Sequence, residues 1–130
     1  MASIFTRIVK GEIPCHKIAE TEEFLAFLDI RPLAAGHTLV IPKEEIDYVF
    51  DLEDAKLAAL MVFAKKVAKA IEAEVPCKRI GLSVIGLEVP HTHVHLVPIN
   101  AISDMTFGRE PVKISNEEMA ALAARIAARV

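Results

Sequence analysis

The chain has 130 residues, 53% of them hydrophobic and 25% charged, and carries a net charge of −3 at pH 7 with a pI near 5.9. This composition predicts one globular domain over residues 1–130, large enough for a real core, and excludes a disordered chain. It also argues against a nucleic-acid surface built on positive charge, and no apolar run approaches the roughly 18 residues of a membrane span.

Ile4, Phe5 and Ile8 recur at helical spacing before Gly11, which predicts one or two helical turns over residues 4–10. The opening stretch MASIFTRIVKGEIP has no apolar leader core, so no secretory signal is expected. Ile13-Pro14 begins an extended passage into a first strand, His16–Glu20. A polar turn leads into a second strand, Phe24–Ile30, which Arg31-Pro32 breaks. Gly36 precedes a third, His37–Ile41, closed by Pro42. Asp51, with Asp54 three residues on, is a candidate cap for a long helix that Pro76 ends. Its predicted buried stripe is Leu57, Leu60, Met61, Ala64, Val67 and Ile71, a core-facing pattern that could also supply part of a subunit interface.

Ile80–Gly86 and His91–Pro98 read as two further strands that pair, and residues 99–113 as a loop. Ser115 with Glu118 is a capping box opening a terminal helix, whose Arg125 and Arg129 suit its negative end. Strands, helix, strands, helix, with short links, predicts an α+β fold: a five-stranded antiparallel sheet with one long helix packed on it and a C-terminal helix. Cys15 and Cys77 stand far apart without a CxxC spacing and are expected as free thiols in a reducing, cytoplasmic compartment.

Three of the five histidines fall within His91-Thr92-His93-Val94-His95. Alternation on a strand puts all three rings on one side, whereas a helix turning about 100° per residue would scatter them. Two kinds of chemistry fit such a cluster. The rings can ligate a metal, with a water at an open position and carboxylates behind the imidazoles. Alternatively, they can act on protons and phosphorus without one, as nucleophile, orienter and leaving-group acid. Spacing alone leaves both open.

The sequence resembles the histidine-triad family. His91–Val97 matches His-x-His-x-His-x-x, and three further segments agree in order: Ile4-Phe5…Ile8…Gly11-Glu12-Ile13-Pro14, Phe27–Pro32, and Gly36–Lys43. The likeness covers residues 4–98 and is much weaker beyond Asn100. It implies a metal-independent nucleotidyl hydrolase or transferase, a homodimer with no cofactor, acting on a purine nucleotide. On that resemblance His93 is the nucleophile, His95 contacts the phosphate and protonates the leaving group, His91 orients the nucleophile, and His37 is a supporting fourth histidine. Asp29 corresponds to the carboxylate holding the ribose hydroxyls, and Phe5, Ile8, Ile13, Leu28 and Ile30 to the base pocket.

The expected reaction is hydrolysis of a purine nucleoside phosphoramidate, such as an AMP–amine conjugate, through a nucleotidyl-histidine. A dinucleoside polyphosphate hydrolase and a purine-nucleotide binder with little catalysis are the alternatives. The sequence departs from the family at Gly86-Leu87, where many relatives have Gly-Gln, so an amide that could bind phosphate is missing. Glu88 adds a negative side chain beside an anionic substrate, though its backbone N–H could face the phosphate. The extra N-terminal cysteines of relatives that hold structural zinc are absent.

Overall fold

The computed structural model describes residues 2–130. Five strands form one antiparallel sheet: β1 Lys17–Glu20, β2 Phe24–Leu28, β3 Thr38–Pro42, β4 Arg79–Ser83 and β5 Val94–Ile99, in the spatial order β1-β2-β3-β5-β4. Three helices accompany it: α1 Ile4–Val9, α2 Asp54–Glu74 and α3 Asn116–Ala127. The expected α+β architecture is present.

Period-two alternation divides the sheet into two faces. Ile18, Phe24, Ala26, Leu28, Val40, Val94 and Leu96 point one way, into the core beneath α2 and α3. Leu25, Phe27, Leu39 and Ile41 point the other way and pack with Phe5 of α1. With both faces covered, β2 and β3 are buried along their whole length.

The buried stripe of α2 is Leu60, Phe63, Ala64, Val67, Ala70 and Ile71. Met61, expected inside, is exposed, while Phe63 takes a core place and stacks on Phe24 at 5.5 Å between ring centroids. Asp51 does not cap this helix. It ends a short 3-10 turn, Val49–Asp51, after which buried Leu52 anchors the chain, and α2 starts at Asp54 with Glu53 in the cap position.

The Ser115–Glu118 capping box forms as expected. Arg125 and Arg129, however, do more than face the end of their own helix. Their Nε atoms reach Glu74 at 2.9 and 3.2 Å, tying α3 to the last turn of α2.

The strand expected from His91 begins in the ladder only at Val94. Pro42 ends β3 and has no N–H to offer a neighbour. Residues 91–93 are held by loop contacts instead: Thr92 N–H donates to Ile46 O at 2.7 Å, and its hydroxyl donates to the same oxygen at 2.7 Å. Gly36 makes the turn into β3 at φ +95°, where a side chain is strained. A Cβ there would also meet Val75 Cγ2 at 3.0 Å.

Candidate active site

The site forms on the sheet face opposite the two long helices. His95 lies in β5 across from Leu39, a residue of the Phe5 cluster, and His37 immediately precedes β3. The rings of His93 and His95 are 5.0 Å apart and those of His37 and His95 5.2 Å, so the four expected histidines meet as one buried group. Phe5 presents its ring edge-on to His93 at 5.0 Å and to His91 at 5.9 Å. The alternation read from the sequence therefore survives the late start of the strand.

Backbone groups decide where the protons sit. Leu33 N–H donates to Nδ1 of His37 at 2.9 Å, so in neutral His37 the proton is on Nε2. That Nε2–H donates to Nδ1 of His95 at 3.0 Å, which places the proton of neutral His95 on its Nε2. His93 is arranged the opposite way. Its Nδ1–H donates to the backbone oxygen of His91 at 2.7 Å, leaving Nε2 as the lone-pair nitrogen. His91 donates from Nε2 to Pro42 O at 2.7 Å and accepts at Nδ1 from Ser3 Oγ at 2.8 Å.

Among the described residues, no buried side-chain nitrogen or oxygen lacks a partner, and neither Nε2 of His93 nor Nε2 of His95 is hydrogen-bonded. Both atoms therefore reach solvent. One is a lone pair and the other an N–H donor, side by side.

Burial lowers the basicity of three of the rings. It takes His95 down to about 3, assisted by repulsion from His93 and His37. His91 falls below its ordinary value chiefly through burial, against the opposing pull of Pro42 O and Glu45. Burial also lowers His37, with the Asp29 carboxylate partly offsetting it.

Asp29 follows β2. Its Oδ1 accepts from Arg31 N–H at 2.8 Å, and its Oδ2 lies 3.5 Å from Nε2 of His37. Asp29, His37 and His95 offer donor atoms within 4.8 Å of one another, a spacing compatible with a cation. The proton pattern opposes one. A metal at Nε2 of His37 needs a lone pair there, which would force a proton onto Nδ1 against the Leu33 N–H.

The expected base-pocket residues separate. Phe5 is buried beside the histidines, and Ile8 packs half-buried on the same cluster. Ile13 is half-buried in the turn after α1. Ile30 is 74% exposed and lines a groove of about 530 Å³ with residues 110–115. Leu28 does not join them. It lies on the helix side of the sheet, fully buried in the main core, and Phe27 is the β2 residue on the Phe5 side. Glu88 is exposed, and Leu87 is 89% exposed, so the Leu87 side chain is no part of the buried histidine group.

Four residues at the site went unread in the sequence. Phe107 sets its ring edge-on to His95 at 4.7 Å and to His37 at 6.4 Å. Its segment is strapped to the turn before β3, where Arg109 donates to Leu33 O at 2.9 Å and Val112 N–H to Pro32 O at 2.8 Å. The others are Ser3, Thr6 and Glu45, which adjoin His91. The only local signal among them is the Ser3 hydroxyl, which caps the start of α1.

The HIT domain family matches residues 10–101. The chain is 40% identical to the adenosine 5′-monophosphoramidase Hnt1 of Schizosaccharomyces pombe, covering 100% of this chain and 99% of that one. Its fold superposes on a Hit-like protein from Bartonella henselae with a TM-score of 0.84 at 28% identity, covering 98% of this chain and 96% of the other. A zinc-bound histidine-triad protein from Mycobacterium smegmatis gives 0.82 at 29%, covering 98% and 95%.

Proposed function

The chain belongs to the histidine-triad family, and we propose that it hydrolyses purine nucleoside 5′-phosphoramidates without a metal, through a nucleotidyl-His93 intermediate. The observation that carries this reading is the opposed proton arrangement of neighbouring rings: a lone pair at His93 Nε2 beside an N–H at His95 Nε2.

In the first displacement His93 Nε2 attacks the α-phosphorus, the P–N bond to the amine breaks, and the amine leaves with a proton from the His95–His37 pair. A bound phosphoryl anion counters the burial that keeps His95 neutral, so the second proton arrives with the substrate. Asp29, 3.5 Å from His37, favours positive charge on that pair. In the second displacement water attacks phosphorus, gives its proton to the pair, and releases the nucleoside monophosphate from His93. The free lone pairs of Asp29 hold the ribose hydroxyls, and Phe5 and Ile8 border the purine. The adenosine phosphoramidase activity in the name of the fission-yeast relative supports this substrate class.

The active species is a homodimer in a reducing, cytoplasmic setting. Supporting the first point, β4 is an edge strand, Leu82 on it and Ile85 and Leu87 just after it are exposed, and so is the Tyr48–Phe50 ring pair. Supporting the second, Cys15 and Cys77 are free thiols.

A panel of AMP and GMP phosphoramidates beside diadenosine polyphosphates, run with wild type and His93→Ala, tests the reading. Turnover that survives a strong chelator, with a covalent nucleotidyl adduct absent from His93→Ala, is the expected result. Tight AMP binding with neither adduct nor turnover would replace the enzyme with a binder, and loss of turnover in chelator would overturn metal independence.

A further inference from the structure

Around Nδ1 of His91 lies a polar cluster that the chemistry above does not use. Ser3 is buried at the cap of α1, its Oγ accepting from Thr6 N–H at 3.0 Å and donating to His91 Nδ1 at 2.8 Å. Glu45, three residues past the end of β3, accepts from Ser3 N–H at 2.7 Å and from the Thr6 hydroxyl at 2.6 Å through the same oxygen. Thr6 Oγ1 also lies 3.3 Å from His91 Nδ1.

We propose that Ser3, Thr6 and Glu45 are positioning residues for the nucleophile, acting through the fully buried ring of His91. The argument runs through directions of donation. Thr6 spends its hydroxyl proton on the Glu45 carboxylate, and of the two acceptors then open to the Ser3 hydroxyl, His91 Nδ1 at 2.8 Å is closer than Thr6 Oγ1 at 3.3 Å. An acceptor role at Nδ1 commits the His91 proton to Nε2, where Pro42 O receives it. Clamped at both nitrogens, the His91 ring cannot rotate, and the backbone oxygen of the same residue holds Nδ1–H of His93. The network thus ends at Nδ1 of the nucleophile's ring, across from the attacking Nε2, without touching substrate. Glu45 is suited to the task because the hydrogen bonds from Ser3 and Thr6 hold its carboxyl down at about 2, ionised throughout the working pH range.

This inference rests on His93 as nucleophile and is tested on the full chain by nitrogen-resolved imidazole NMR together with steady-state kinetics. Wild type is expected to show one tautomer at each ring, Nε2–H at His91 and Nδ1–H at His93. Ser3→Ala and Glu45→Ala are expected to mix both tautomers and lower kcat by about tenfold to a hundredfold, with KM held within about twofold. Thr6→Val removes the hydroxyl at nearly constant volume and is expected to act in the same direction. Ser3→Thr and Glu45→Gln keep the hydroxyl and the acceptor oxygen, and are expected to restore both readouts. Folded Ser3→Ala and Glu45→Ala proteins with wild-type tautomers and wild-type kcat would overturn the proposal. If wild type turns over no phosphoramidate, the proposed function fails, and the tautomer populations alone then uphold or overturn the positioning role.

Discussion

Leu33 and His95 share no hydrogen bond, yet the backbone N–H of Leu33 determines which nitrogen of His95 carries a proton. It occupies Nδ1 of His37, which sends the His37 proton to His95 Nδ1 and leaves N–H at the solvent-facing nitrogen. His37→Phe keeps the ring volume but breaks this relay. It is expected to give His95 two tautomers by NMR and to lower kcat by about tenfold or more, while His93 keeps Nδ1–H. A single unchanged tautomer at His95 would show that something other than His37 sets it.

Acid should unfold this protein through its buried rings. His95 is lowered to about 3 in the folded chain, against an ordinary value near 6.5, and His37 and His91 are lowered as well. Between those values the unfolded chain binds more protons, so stability rises with pH across the window and falls as pH drops below about 6.5. The stabilisation is fully present above that pH. Urea titrations at pH 7, 6, 5 and 4 should show a steadily falling midpoint, worth on the order of a few kcal/mol by pH 4. His95→Leu should flatten the slope; an equally steep decline in that variant would assign the effect elsewhere.

Phe107 contributes to the burial that holds His95 down, since its ring stands 4.7 Å away. In Phe107→Ala, water reaches the imidazole and its titration should move up toward 6.5. The C2-proton shift of His95 followed against pH measures this directly. No movement would mean that the sheet and neighbouring rings alone set the desolvation.

Glu74 receives both Arg125 and Arg129 and is the only side-chain link between α2 and α3 among the described salt bridges. The arginines are more than half exposed, so each pair is worth no more than about 0.5–1 kcal/mol. Glu74→Ala should therefore lower the thermal midpoint by a few degrees, roughly 2–8 °C for a domain of this size, and leave kcat unchanged. A loss of activity would tie the helix layer to the cleft.

The parts of this site legible in the sequence were those with a period or a local signature. The alternating imidazoles were read from their period, whereas His37 and Asp29 entered only through the likeness of their short segments to the family. Leu28 was assigned to the wrong side because Phe24-Leu25-Ala26-Phe27-Leu28 is apolar at every position. A strand buried on both faces carries no contrast from which to read its parity. Phe107 and Glu45 were illegible for another reason. Each reaches the histidines from a loop whose path is set by tertiary bonds, Arg109 to Leu33 and Ser3 to Glu45, and no local periodicity encodes such a path.

Much of the proton pattern is written in the main chain itself. Leu33 N–H, Pro42 O and His91 O each meet a different imidazole, and all three are main-chain groups, with the Ser3 hydroxyl completing the set at His91. A scaffold that reproduced the trace of those segments would carry most of the division between attacking and donating rings to histidines grafted into it, with one hydroxyl in the place of Ser3 still to be supplied.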